Sequence, residues 1–237
     1  MALSHRKYLL VLGVLFGLLW GTLAIHPWYR TTWLLENALV FVMVALLATL
    51  HRRLLFSRVS YTLIFLFMCL HQIGAHYTYS EVPYDEWFTR ATGRSFNSLF
   101  GWERNNFDRI VHFSYGLLLA YPVREVFLRV ANVRGFWGYF LPLDLTMSTS
   151  MLYELIEWVT ALVFGEGAGQ AFVGAQGDVW DAHKDMALAS LGAVLAMSIT
   201  AGLNWRFQRD FARQWVESLR VKHKAPLGED APRTAAK

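Results

Sequence analysis

The segment "QGDVWDAHKDM" carries three aspartates, Asp178, Asp181 and Asp185, immediately ahead of a long apolar run. On a helix, steps of about 100° per residue bring positions i, i+3 and i+7 onto one stripe, so three carboxylates there would face the same neighbour. Three other segments carry matching chemistry. "NNFDRIVHF" pairs Asp108 with His112 at i, i+4, "YELIEW" holds Glu154 and Glu157, and "HQIGAHYTYS" holds His71 and His76. Carboxylate and imidazole donors together suit Zn²⁺, Mn²⁺ or Fe²⁺, whereas carboxylates alone suit Mg²⁺ or Ca²⁺. The absence of cysteine donors argues against a thiolate zinc site. His71 and His76 stand about 140° apart on a helix, so at most one faces a common cluster squarely. His76, nearer the outer end, is the better match in depth to His112 and Asp185.

Each group has a plainer role beside the chemical one. Asp178 alone is most simply a helix cap, satisfying free N–H groups and the helix dipole. Asp181 and Asp185 lie too far along for one cap to use them. Asp108 beside Arg109 is consistent with a water boundary, and a lone His71 or His112 with a hydrogen-bonded interior histidine. Glu154 and Glu157 are harder to explain that way, because an acid at membrane depth costs several kcal/mol unless paired or functional. Only Arg104, Arg109 and Lys184 are near this set in sequence. Converging acids with so few cations either bind a metal ion or keep some of their protons.

The elements that must position these groups are membrane spans. The chain of 237 residues is 55% hydrophobic, 16% aromatic and only 17% charged, with a mean hydropathy of +0.30. A soluble domain carries about a quarter charged residues, so the deficit points to a membrane protein. Six spans are expected at about 7–25, 32–50, 60–80, 108–130, 136–163 and 183–203, in one all-α domain over 1–203. The first lacks a convincing cleavage site before "HPWYR" and is read as a retained helix. The fifth holds Asp144, Glu154 and Glu157 and is expected to be surrounded by protein.

With the N-terminus inside, Arg6, Lys7, Arg52, Arg53, Arg58, Arg124, Arg129, Arg134 and the basic residues beyond position 204 lie in the cytoplasm. That places 16 of the 22 Lys and Arg on the inner side, as the positive-inside rule expects. The net charge of +4 is therefore read as topology and lipid-headgroup contact, not as a nucleic-acid surface. In this orientation His71, His76, Asp108, His112, Glu154, Glu157 and the 178–185 aspartates all fall in the outer leaflet. Segment 81–107 is expected to carry a short surface helix with Tyr84, Trp87, Phe88 and Ala91 on one face, placed as a lid. The glycine-rich stretch 164–178 reads as a flexible outer loop, without the lysine pattern of a phosphate loop. The tail 204–237 reads as a basic interfacial helix losing its periodicity after Pro226. Cys69 is most simply a small buried apolar group, and Gly192 a close helix contact.

At "NNFDRIVHF", "YELIEW" and "QGDVWDAHKDM" the chain resembles the YjdF-like family of bacterial inner-membrane proteins, over about residues 60–200. A looser likeness extends to the VanZ-like membrane proteins, associated with glycopeptide resistance. Their pattern is similar to Asp108 and His112, Glu154, and Asp178 to Asp185 here, with Glu157 standing where a glutamine-like residue is more typical. The resemblance implies an integral, multi-pass protein of the bacterial inner membrane whose polar layer is a family feature. It supplies no substrate.

The combined expectation is a six-span protein with a polar site open to the outer face. As a metal-dependent enzyme, with hydrolysis the simplest chemistry, it would act on a lipid or lipid-linked envelope molecule. His112, Glu154, Asp181 and Asp185 would be the metal ligands, with Asp178 and His76 as further candidates. Glu157 would be the general base and Asp108 the orienter of His112. A proton- or metal-coupled transporter and a structural polar network are the other readings, with Asp144 as the residue that a conduction path would use.

Overall fold

The computed structural model describes residues 3–164 and 177–222, and among these the protein is helical throughout, with no strand. The helices are α1 (His5–Leu23), α2 (Arg30–Leu50), α3 (Arg58–Tyr77), α4 (Tyr84–Thr92), α5 (Phe96–Phe100), α6 (Phe107–Arg129), α7 (Trp137–Phe164), α8 (Asp181–Phe207) and α9 (Phe211–Ser218). Four of them, α1, α2, α3 and α8, are long and apolar enough to cross a membrane. Helices α6 and α7, of 23 and 28 residues, reach about 34 and 42 Å, but their polar residues lower their hydropathy. All six long helices begin within about three residues of the expected spans, and α8 runs on to Phe207.

Local sequence explains several of the helix ends. Ser4 and Ser57 cap α1 and α3, their hydroxyls accepting the N–H groups of Lys7 and Ser60 at 3.3 and 3.2 Å. Glu125 of α6 reinforces the second cap, accepting from Ser57 N at 2.9 Å and Ser60 Oγ at 2.5 Å. Helix α3 stops at Thr78, which takes the left-handed conformation at φ 59°.

The centre of the fold is the pair α6 and α8, with α3 and α7 packed on α6, α7 also on α8, and α1 and α2 on α3. Ala120 of α6 and Ala189 and Ala193 of α8 are fully buried between them, where small side chains let two helix backbones approach closely. Apolar side chains elsewhere on the long helices point outward, among them Leu10, Val42, Leu162 and Ile199.

Segment 81–107 differs from the single surface helix expected. It folds as α4 and α5, tied by Asp85, whose carboxylate accepts from Asn97 N at 2.8 Å and from the Ser95 hydroxyl at 3.0 Å. Tyr84 is buried against Phe96 and Phe107, so the segment packs onto the end of α3 and the start of α6. In the tail, α9 lies against the start of α7 through Trp215 and Tyr139, with ring centroids 5.6 Å apart. The expectations of a loop at 165–176 and of lost order beyond 222 lie outside the described residues.

Candidate functional site

Three helices bring the polar groups into one layer. Asp108 and His112 stand in the first turns of α6, Glu154 and Glu157 in the C-terminal half of α7, and Asp181 and Asp185 at the start of α8. Their donor atoms form two sets, each with all atoms within 4.8 Å of one another: His112, Glu154 and Asp185, and Asp108, Asp181 and Asp185. Asp185 belongs to both. His112 Nε2 lies 3.5 Å from Glu154 Oε1, and Glu157 is within hydrogen-bonding reach of Glu154 and Tyr153.

Among the described residues, Asp108 Oδ2, Glu154 Oε1 and Asp185 Oδ1 are buried without a hydrogen-bond donor. Buried carboxylate oxygens in that state are costly, since desolvation is not repaid. The Arg104 guanidinium stands 3.8 Å from Asp108 Oδ2, beyond a hydrogen bond.

The rim is different, because three cations gather there. Asp178 takes Lys184 Nζ and an Arg109 guanidinium nitrogen at 2.6 Å each, with Arg104 at 3.7 Å, and also caps the backbone N–H of Trp180 at 3.0 Å. The Lys184 hydrogen bond, helped by the Trp180 N–H and by Arg109, pulls its carboxyl from 3.8 down to about 2. Arg104 also reaches Asp181, and Arg109 stands 3.5 Å from it. Asp178 is therefore occupied by cations and by capping, not turned to a shared metal position. Among the described residues, the set His112, Glu154 and Asp185 has no arginine paired with it.

Two expected roles are revised by the geometry. His76 leaves the cluster: its Nδ1 meets the Leu23 carbonyl at 2.7 Å and so ties α3 to the end of α1. Asp108 accepts from the backbone N–H of Arg109 at 2.8 Å and groups with Asp181 and Asp185, not with the His112 ring. The reason is rotation, since packing of α3 on α1 turns His76 outward and leaves His71 facing inward.

His71 belongs to a network that sequence reasoning missed. Its Nε2 meets the Glu36 carbonyl at 3.2 Å. A carbonyl only accepts, so Nε2 donates, and Nδ1 takes the Tyr79 hydroxyl proton. Glu36 itself, 2% exposed, has an Oε2 3.5 Å from the Tyr153 hydroxyl. Beside it Asn37 Oδ1 accepts from Trp20 Nε1 at 2.7 Å and from Gln72 Nε2 at 3.1 Å. The signal was available: an acid in the middle of "TTWLLENALVF" is an intramembrane ionisable group.

A cavity of about 290 Å³ connects these groups to the apolar interior, its wall including His71, Asp108, His112, Glu157 and Asp185. The arrangement can hold a hard or borderline cation beside a space for an amphiphile.

Comparisons with known proteins agree with the membrane reading. The family described as "Predicted membrane protein (DUF2238)" matches residues 8–206. The chain is 38% identical over 183 residues to the inner membrane protein YjdF of Escherichia coli (strain K12), covering 77% of this chain and 83% of that protein. These matches lend no support to the looser VanZ-like likeness. No solved structure matches. With nearly all of its helical part matched and a relative of this identity, the chain belongs to the DUF2238 family of membrane proteins, the family of YjdF.

Proposed function

We propose that this protein crosses the bacterial inner membrane six times with both termini in the cytoplasm. In this reading it binds one divalent cation near the outer face and hydrolyses a lipid or lipid-linked envelope molecule there. The observation that carries the reading is the set His112, Glu154 and Asp185, whose donor atoms lie within 4.8 Å of one another and include two buried carboxylate oxygens without hydrogen-bond donors among the described residues. Mixed imidazole and carboxylate donors favour Zn²⁺, Mn²⁺ or Fe²⁺ over Mg²⁺. The set Asp108, Asp181 and Asp185 is less suited, because Arg104 and Arg109 already neutralise Asp181.

A cation bound there would polarise a scissile ester or phosphoryl oxygen and acidify a water. The chain's own groups divide the rest. Glu157, in reach of Glu154 and on the cavity wall, is placed to take the attacking water's proton. Arg104 and Arg109 hold Asp178 and Asp181 and keep the cluster's outer rim near neutral. The six-span reading is supported by the lengths of α6 and α7 and by the distribution of Lys and Arg.

Proton-coupled transport is the second reading, favoured by the run of contacts Glu36 to Tyr153 to Glu157 to Glu154. Asp144, the residue a deeper path would use, is exposed on the outside of α7 and weighs against it.

The test is elemental analysis of protein purified in mild detergent without chelator, beside an Asp181→Asn, Asp185→Asn double variant. Near-stoichiometric metal in the wild type and its loss in the variant support the cation site. A metal-free wild type sinks it and moves the weight to proton binding or a packing network.

A further inference from the structure

The cavity beside the cation donors has two unlike ends. Its outer end is walled by His71, Asp108, His112 and Asp185, and its inner end by Met43, Leu46, Met68 and Leu119. From His112 to Leu119 the axis of α6 descends about 10 Å, so the polar and apolar ends are stacked along the bundle.

One side wall is open to the outside. Helix α2 packs on α3, and α7 on α6 and α8, which leaves a seam between α2 and α7. Across it the Tyr153 hydroxyl and Glu36 form a polar link at 3.5 Å. Beside that link, Leu39 and Val42 of α2 and Leu152 and Ile156 of α7 line the cavity while remaining 42%, 64%, 53% and 47% exposed. Side chains that both line a cavity and face outward are the lips of an opening. In a bilayer that opening meets hydrocarbon.

We infer that the seam between α2 and α7 is a lateral portal. It admits the hydrocarbon chain of an outer-leaflet amphiphile, with an anionic phosphate-type headgroup at the His112, Glu154 and Asp185 donors and the chain descending toward Met43, Met68 and Leu119. The inference rests on the cation reading and on α2 and α7 as spans, and it adds the class and the orientation of the substrate. The bound ion selects the headgroup: a cation on these donors takes anionic oxygen ligands, and phosphate oxygens are ligands for such an ion. The apolar wall selects the rest, since a wholly polar solute would leave Leu39, Met43, Met68 and Leu119 without a partner. The orientation is that of an outer-leaflet lipid, so the molecule need not invert to bind.

The probe is dodecyl phosphate carrying a diazirine either at the far end of the chain or next to the phosphate, photolysed with the full chain in lipid nanodiscs. Adducts are mapped by peptide mass spectrometry, and metal content is measured on the same sample. The far-end probe is expected to label Met43, Leu46, Met68 or Leu119, and the near-headgroup probe His71, Tyr79 or Asp185. Leu39→Trp and Leu152→Trp, which narrow the lips, are expected to reduce labelling at least tenfold with metal content unchanged. Labels spread over outward residues such as Leu10, Leu18 and Ile199, a reversed order of the two probes, or full labelling of both tryptophan variants would overturn the portal. Should a variant misfold, the order of labelling in the wild type still decides. Ordered labelling of a metal-free protein upholds the portal and defeats the cation reading, whereas bound metal with scattered labels defeats the portal alone.

Discussion

Gly116 of α6 and Gly192 of α8 let their two helix backbones touch. A Cβ on Gly116 would stand 1.9 Å from the Ala189 carbonyl oxygen, and one on Gly192 would stand 2.2 Å from that of Phe113. This crossing also sets the site, because His112 lies one turn before Gly116 and Asp185 two turns before Gly192. A wider spacing would separate the donors on α6 from those on α8.

Gly116→Ala and Gly192→Ala are therefore expected to destabilise the protein by at least about 1–3 kcal/mol, as overpacking does, and to weaken metal binding together with stability. Gly13→Ala and Gly17→Ala, where an added Cβ meets nothing within 4 Å, are the controls and should be neutral. Thermal melting in detergent reads both pairs, and equal effects in all four would show that the α6–α8 contact is looser than described.

Asp185 is the donor common to both sets, so Asp185→Asn should lower metal affinity more than Asp181→Asn does, by at least about tenfold on the scale of lost ligand-sphere groups. In excess chelator the same substitution should leave the melting temperature equal or higher, because it removes one carboxylate from a crowd of acids. A marked fall in chelator would assign Asp185 a structural role instead.

The two histidines of α3 and α6 separate cleanly. His112→Ala should lose bound metal, whereas His76→Ala, which removes a bond to the Leu23 carbonyl, should retain it and cost only the tie between α1 and α3. Metal loss in His76→Ala with His112→Ala unaffected would reverse the assignment.

Asp178, just ahead of α8, supplies a pH dependence. Its folded value of about 2 lies below the ordinary 3.8, so its ion pairs contribute stability fully above the higher value. That contribution is lost as pH falls toward the lower one. Asp178→Asn should thus be less stable than wild type near neutrality, and the difference should shrink between pH 4 and pH 2. Melting curves across that window check it, and a constant difference would mean that capping of Trp180, not charge, is what Asp178 provides.

At the opposite end, Glu125→Ala should cost about 1–3 kcal/mol, because it strips the acceptor from Ser57 N, the Ser60 hydroxyl and Arg129. Glu125→Gln, which keeps one acceptor oxygen, should cost less. Parity of the two in chemical or thermal unfolding would show that the charge, not the cap, matters there.

The sequence alone determined which stretches are helical and apolar, because hydrophobic length and serine caps act locally, and it identified the family through its acidic motifs. It also placed Asp108, His112, Glu154, Asp181 and Asp185 at one depth, since depth follows from position along a helix. Tertiary structure decided what each of them faces. Helical periodicity orients a side chain about its own axis but says nothing of how one helix is rotated against another. That rotation is set by the buried alanines and glycines of α6 and α8 and by the packing of α3 on α1. For this reason His71 came inward while His76 went to Leu23, Asp178 met three cations, and Glu36, visible in the sequence as an acid in an apolar helix, found its partner in Tyr153.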